Sequence, residues 1–110
     1  MSETSQPSQD ESYPAPAIPP GALVRDMRIV NRRGLHARAT AKFVQCVERF
    51  DAQIKVTRCG ETVGGDSIMG ILTLGAGLGS SISVAAFGAQ ARQALEALAA
   101  LVADRFGEDE

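Results

Sequence analysis

The length, composition and charge of the chain exclude several classes of protein. Its 110 residues suffice for one small domain, and a formal net charge of −2 argues against a nucleic-acid binder, which would normally carry a basic face. No run is apolar for long enough to cross a membrane, and no basic or apolar leader follows Met1, so we expect a cytoplasmic protein. Cys46 and Cys59 form no metal-binding motif with the single histidine, so we expect reduced thiols and no metal.

The chain divides into a tail, a domain and a short acidic end. Residues 1–21 are rich in Ser, Gln, Glu and Pro, and the repeated prolines are incompatible with helix and sheet, so this stretch is predicted to be a disordered tail. A folded domain is predicted over residues 22–107. Residues 108–110 form an acidic C-terminal end.

The first half of the domain alternates between strand and helix patterns. Apolar and polar residues alternate over residues 24–30, which predicts a strand with one buried face. After His36 apolar residues recur every three or four positions up to Phe50, which predicts an amphipathic helix. Alternation returns over residues 53–58 and predicts a second strand.

A hairpin and a short helix follow. Cys59-Gly60 can form a two-residue turn, because glycine readily takes the positive φ that a tight hairpin requires. The third strand, residues 61–63, is therefore expected to pair antiparallel with the second. Residues 68–74 are predicted to form a short helix capped by Asp66 or Ser67.

The last strand and helix complete the pattern. Residues 80–86 alternate as a fourth strand, and a helical repeat of Ala, Leu and Val runs from Ala91 to residues 106–107. The element order is β-α-β-β-α-β-α. Such an order predicts an α+β domain, with a single sheet and its helices on one face.

His36 stands where an anion could bind. If the first helix begins just after His36, the ring lies beside backbone N–H groups that lack helical partners and at the positive end of the helix dipole. This field disfavours imidazolium, so a neutral ring with a free lone pair is expected. Arg38 could add hydrogen bonds to a bound phosphoryl group, and Gly34 removes bulk where a partner approaches. On the residues alone, His36 could equally be a surface cap beside solvated Arg33 and Arg38.

Ser67 offers a second site. As an N-cap hydroxyl it is structural, but a phosphate there would also sit at a helix N-terminus and need not unfold the domain. Of the apolar residues that follow, two are expected in the core and three could form an exposed docking patch, although core burial is the simpler alternative for each. The core pair is Ile71 and Leu74, and the patch is Ile68, Met69 and Leu72.

Two segments resemble the signatures of HPr, the histidine-containing phosphocarrier of the bacterial phosphotransferase system. Residues 34–40, Gly-Leu-His-Ala-Arg-Ala-Thr, are similar to the family's Gly-Leu/Ile-His-Ala-Arg-Pro-Ala. Residues 67–75 resemble the second signature, in which Ser-Ile-Met-Gly precedes an apolar run ending in Leu-Gly. The spacing between the two also fits, and the resemblance covers about residues 23–107.

The resemblance implies the HPr-like open-faced two-layer sandwich, with a four-stranded antiparallel sheet and three helices on one face. It implies that His36 accepts a phosphoryl group on Nδ1 from phosphorylated enzyme I and passes it to a histidine of an enzyme II A-type protein. Arg38 would stabilise the phosphohistidine. The protein would then be a monomeric carrier that needs no cofactor, rather than an enzyme.

The same resemblance assigns regulation and docking. Ser67 matches the serine that HPr kinase/phosphorylase modifies in bacteria that possess this enzyme, and the added charge would weaken docking of enzyme I. The positions that would contact partners are Arg33, Gly34, Ile68, Met69 and Leu72.

Two departures from the family pattern matter, one for the first helical turn and the other for partner choice. Ala39 replaces the usual proline, so the first helical turn loses a fixed φ and gains an N–H. Gln45 and Glu48 stand where many sugar-transport members carry lysines that meet acidic partners. We therefore predict a regulatory, nitrogen-related or otherwise non-sugar branch of the system.

Two other functions compete with this reading. The loop at residues 64–67 could cradle a nucleotide phosphate with His36 as base, but it lacks the lysine and spacing of a P-loop. A ferredoxin-like regulatory or RNA-binding module would share the strand and helix order. Its sheet would normally carry interleaved aromatic residues, which are missing here.

Overall fold

The computed structural model of the protein describes residues 18–110, so most of the predicted N-terminal tail lies outside the described residues. Within that range, strands and helices follow the predicted order. The elements are β1 (Leu23–Arg28), α1 (Ala37–Val47), β2 (Gln53–Arg58), β3 (Glu61–Gly64), α2 (Ile68–Thr73), β4 (Ser81–Phe87), α3 (Ala91–Ala103) and a final 3₁₀ turn (Arg105–Gly107).

The strands form one antiparallel sheet in the order β1-β4-β2-β3. Its register aligns the apolar residues of neighbouring strands, as where Val84 of β4 faces Val56 of β2. Ser81 and Ser83 alternate with these residues and lie on the other face, as period-two patterning requires. The helices cover the apolar face, and the predicted α+β open-faced sandwich is confirmed.

The core is mostly aliphatic and is shared by the sheet and all three α-helices. Phe43 of α1, Ile71 of α2 and Leu98 of α3 are fully buried. Phe106, beyond the last helix, is also fully buried and is the second large aromatic of this core. The three- and four-residue spacing seen in the sequence therefore marks the buried faces of the helices.

In the first half of the domain, two element ends differ from the predicted ones by more than a single residue. The first strand ends at Arg28, because its ladder with β4 begins at Ser81. Ile29 nevertheless stays fully buried and donates its N–H to the carbonyl of Ser80 at 2.8 Å. Helix α1 ends at Val47 instead of Phe50, since the chain must turn into β2, although Phe50 still packs against the core.

The end of α3 was predicted too far along the chain. The helix stops at Ala103, and Arg105 and Phe106 take positive φ values of 57° and 55°. This left-handed turn reverses the chain while leaving the Phe106 ring in the core. Helical spacing alone could not distinguish a buried Phe in a turn from one in a continuing helix.

In the hairpin between β2 and β3, both turn residues are left-handed, and not only the glycine. Arg58 pairs with Glu61, so Cys59 and Gly60 are the two turn residues. Both have positive φ, 52° and 80°, as a type I′ turn demands. The predicted hairpin is confirmed, with Cys59 sharing the left-handed conformation.

Candidate functional site

His36 is the N-cap of α1, as predicted. Its backbone is extended, with φ −75° and ψ 179°, and its carbonyl accepts the N–H of Thr40 at 2.9 Å. The side chain makes no capping hydrogen bond, and it is 19% exposed. The N–H groups of the first helical turn therefore stay available to an anion beside the ring.

A tight turn delivers the chain to His36. The N–H of Gly34 bonds the carbonyl of Asn31 at 3.2 Å, and the N–H of Leu35 bonds that of Ala76 at 2.9 Å. Gly34 has φ 68°, and a Cβ there would lie 2.6 Å from the Ala76 oxygen and 2.8 Å from Cα of Gly77. Gly34 is itself buried, so packing inside the domain already requires a glycine.

The ring of His36 contacts a carboxylate from the C-terminal segment. Nε2 lies 2.5 Å from Oε2 of Glu108, whose side chain is 17% exposed. The other oxygen, Oε1, accepts a hydrogen bond from Nδ2 of Asn31 at 3.0 Å. Asn31 is fully buried and also donates to the carbonyl of Gly34 at 2.9 Å. The hydrogen bond from Asn31, followed by that from His36, lowers the pKa of Glu108, so this group stays ionised.

Cationic side chains surround the same segment. An open cavity of about 570 Å³ lies between four basic residues and the last four residues of the chain. Arg38 is exposed in this cavity, and Arg32 pairs with Glu110 at 2.5 Å on the surface. The lining residues are Arg32, Arg33, Arg38, Lys42 and 107–110. A doubly charged anion bound in this cavity would therefore meet several positive charges.

Ser67 is the N-cap of α2, which settles the choice between Asp66 and Ser67. Its Oγ accepts the N–H of Gly70 at 3.0 Å. Ile71 and Leu74 are buried, as expected for core positions. The three positions of the predicted docking patch are more open: Ile68 is 43% exposed, Met69 is 71% exposed and Leu72 is partly buried.

The sequence-based reasoning missed three contributors to the site. Glu108 was treated only as part of an acidic end, yet it contacts His36 across 72 residues of chain. Asn31 has no predicted role, because nothing in its sequence neighbourhood indicates that it is buried. Lys42 lies off the apolar repeat of α1, yet its Nζ donates to the carbonyl of Phe106 at 2.6 Å and helps hold the C-terminal turn.

Residues 18–110 contain no cluster of His, Cys, Asp and Glu suited to a metal ion, and none of their helices could cross a bilayer. Both cysteines are free thiols. Cys46 is buried, and burial raises its pKa, whereas Cys59 is exposed in the hairpin turn.

Comparisons with known proteins agree with this geometry. A family model described as the PTS HPr component phosphorylation site matches residues 23–104, which include both His36 and Ser67. The phosphocarrier protein HPr of Cupriavidus necator is 47% identical over 88 residues, covering 80% of this chain and 99% of that protein. HPr of Pseudomonas aeruginosa is 43% identical over 86 residues, covering 77% and 96%.

Solved structures of HPr share the fold. HPr-C-His from Thermoanaerobacter tengcongensis superposes with a TM-score of 0.77 at 38% identity, covering 80% of this chain and 99% of that one. HPr from Bacillus anthracis superposes with a TM-score of 0.72 at 43% identity, covering 74% and 98%. The matches therefore span the folded part of this chain and nearly all of each relative.

Proposed function

Since the chain belongs to the HPr family of phosphocarrier proteins, we propose that His36 is its phosphoryl acceptor. Phosphorylated enzyme I donates the group to Nδ1 of His36, and a histidine of an enzyme II A-type protein receives it. The observation that carries the proposal is the position of the His36 ring at the N-terminus of α1, where it contacts Glu108, which lines the same cavity as Arg38. The carrier works as a cytoplasmic monomer.

Transfer of the phosphoryl group depends mainly on the positioning of the reacting groups, and no other residue has to form a covalent bond. As the lone pair of Nδ1 bonds to phosphorus, the donor's nitrogen–phosphorus bond breaks, through a loose transition state with charge on the phosphoryl oxygens. The first-turn N–H groups and Arg38 offset that charge. The phosphoramidate formed on His36 retains enough transfer potential to pass the phosphoryl group on to the acceptor histidine.

Labelling tests the acceptor and the role of Arg38. With enzyme I and phosphoenolpyruvate, the wild-type protein should gain one acid-labile phosphate, and His36→Ala should gain none. Arg38→Ala should be labelled roughly 10-fold more slowly, because one charge-assisted hydrogen bond contributes about 1.5–3 kcal/mol. Arg92→Ala is the matched control, since Arg92 belongs to α3 and lines another cavity, between α3 and β1.

His36→Ala should keep the wild-type circular dichroism, because the ring makes no capping bond, and should melt at a slightly lower temperature, because its contact with Glu108 is lost. Acid-labile label that persists in folded His36→Ala would refute the assignment of the acceptor. Equal labelling rates for the Arg38 and Arg92 variants would refute the role of Arg38.

The surface around the site supports a partner set outside sugar transport. Gln45 on α1 and Glu48, the C-cap of this helix, are exposed, so these two positions lack the positive charges that attract acidic sugar-type partners. Met69 and Ile68 supply an apolar patch on α2, which packs against α1. Faster phosphorylation by a sugar-type enzyme I than by a nitrogen-type enzyme I would contradict this branch.

Ser67 is the second modification site of the proposal. Its hydroxyl is half-buried beside Ile68 and Met69, so a phosphate there would bring charge to the apolar patch. Modification by HPr kinase/phosphorylase would thereby weaken docking of enzyme I. Acid-stable phosphate that is lost in Ser67→Ala is the expected signature.

A further inference from the structure

The C-terminal segment is held against α1 by specific contacts. After α3, the positive φ values of Arg105 and Phe106 turn the chain back, and the buried Phe106 ring anchors the turn in the core. Nζ of Lys42 donates to the Phe106 carbonyl at 2.6 Å. The N–H of Arg32 also bonds the carbonyl of Glu110 at 2.9 Å. Glu108, between these attachments, is therefore confined next to His36.

Both oxygens of the Glu108 carboxylate are used. Oε2 faces Nε2 of His36 at 2.5 Å, and Oε1 accepts Nδ2 of Asn31 at 3.0 Å. Asn31 is fully buried and bonds the carbonyl of Gly34, so its amide cannot swing freely. The lowered pKa of Glu108 keeps the carboxylate ionised, and an ionised carboxylate only accepts hydrogen bonds.

An acceptor at Nε2 decides which ring nitrogen carries the proton. In a neutral imidazole one nitrogen is N–H and the other has a lone pair, and the partner of one nitrogen sets the state of the other. Among residues 18–110, no hydrogen bond reaches Nδ1 of His36. With Nε2–H donated to Glu108, the lone pair is on Nδ1.

We propose that Glu108, braced by Asn31, is a positioning residue that holds His36 in its Nε2–H tautomer and presents the Nδ1 lone pair to the phosphoryl donor. This inference rests on the proposed function for its kinetic consequence. In the transfer the nitrogen–phosphorus bond forms at Nδ1, the donor's bond breaks, and the proton stays on Nε2. The ring then gains positive charge, which the adjacent Glu108 carboxylate offsets.

Glu108→Gln tests the pairing with little change of shape. A glutamine cannot satisfy both neighbours as the carboxylate does, because an amide nitrogen facing Asn31 Nδ2 would oppose two donors. Turning the amide nitrogen towards His36 would instead favour the Nδ1–H tautomer. Glu110→Gln is the matched control, since it removes the same charge from an exposed ion pair with Arg32.

The first measurement is of the ¹⁵N chemical shifts of the two ring nitrogens of His36. It is made without enzyme I, under conditions in which the ring is neutral. Wild type and Glu110→Gln should show one protonated nitrogen, Nε2, and an unprotonated Nδ1. Glu108→Gln should shift both signals towards an average of the two tautomers. Glu108→Ala, which removes the acceptor altogether, should do the same, and its backbone spectrum reports whether the C-terminal turn is intact.

The second measurement is the rate of phosphorylation by enzyme I. Glu108→Gln should be slower by roughly 10-fold, the lower part of the range for losing the partner that orients a functional histidine. Glu96→Gln, which removes an exposed carboxylate of α3 that lies in another cavity, should match the wild-type rate. Unchanged ring shifts in both Glu108 variants, or an unchanged rate despite altered shifts, would overturn the proposal. Wild type that enzyme I fails to label would instead overturn the proposed function, because the ring shifts are measured without enzyme I.

Discussion

Among the described residues, Glu108 links the stability of the fold to pH through its ionisation. Its pKa lies below the ordinary value of 4.5, chiefly through the hydrogen bond from Asn31 and next through that from His36. A carboxyl with a lowered pKa in the folded protein stabilises it above the unfolded value, and this stabilisation is lost as pH falls through the lowered value. Arg33 adds a weaker attraction in the same direction.

Urea unfolding across pH should reveal this contribution. The difference in unfolding free energy between wild type and Glu108→Gln should be largest above pH 4.5 and should shrink as the pH falls further. Glu110→Gln should show a smaller and flatter difference, because its ion pair is exposed and screened by solvent. A difference for Glu108→Gln that stays constant with pH would contradict the assignment.

Single residues also show what local patterns can and cannot predict. The sequence predicted His36 as one N-cap and either Asp66 or Ser67 as the other, because a cap depends only on the three or four residues that follow it. Asn31 gave no comparable signal, since its two donated bonds depend on the turn and on Glu108. The short-range part of the site was therefore predictable, and the long-range part was not.

At the scale of elements, the turn before α1 is more constrained than the turn of the β2–β3 hairpin. Both contain a glycine with positive φ, but a Cβ at Gly34 would strike Ala76 and Gly77, whereas a Cβ at Gly60 meets nothing within 4 Å. Gly60→Ala should cost only the left-handed backbone penalty of about 1–2 kcal/mol. Gly34→Ala should cost about 1–3 kcal/mol more, because it also overpacks the loop.

Thermal melts of the two glycine variants measure this difference directly. Gly34→Ala should also slow phosphorylation by enzyme I, since the turn sets the position of His36, whereas Gly60→Ala should not. Equal losses of stability in the two variants would show that the loop around Ala76 yields to the added methyl group.

The short helix α2 depends on its cap. Ser67→Ala removes the bond from Gly70 N–H to Oγ and should cost about 1 kcal/mol, or about 4–8 °C in melting temperature. Ser67→Asp should retain most of that stability, because aspartate also caps, yet its charge should slow phosphorylation of His36. Ser80→Ala, which loses an exposed bond to the Gly77 carbonyl, is the control.

The two functions of Ser67 would thus separate in one pair of variants. A stable Ser67→Asp protein that enzyme I phosphorylates at the wild-type rate would argue against regulation at this position. A Ser67→Ala protein as stable as wild type would argue against the cap.

At the scale of the whole molecule, α2 divides its apolar residues between core and surface. Ile71 is fully buried and Met69 is 71% exposed. Ile71→Ala should lose about 2–5 kcal/mol of stability. Met69→Ala should leave the melting temperature unchanged. It should raise the KM of enzyme I for this protein, because the Met69 side chain is available to a partner.

Steady-state phosphorylation assays and melts of the same two variants check this division. A Met69→Ala protein with wild-type KM would remove this residue from the docking patch. A marked fall in its melting temperature would show that the side chain packs within the domain.

The sequence by itself determined the elements, their order and the family to which the chain belongs. The periodicity of strands and helices depends on residues within about four positions of one another, so it can be recognised without knowing the fold. The two signature segments likewise predicted His36 and Ser67. The ends of elements were predicted less well, as at the C-terminus of α3. The left-handed turn there falls on Arg105 and Phe106, and neither residue type indicates such a turn.

Only the tertiary structure decided how the histidine ring is held. Glu108 reaches His36 because the sheet, α1 and the turn at Phe106 together bring residues 72 positions apart into contact. Asn31 completes the arrangement from 77 positions away from Glu108. Such contacts depend on the closure of the whole chain, and for that physical reason no local pattern could have indicated them.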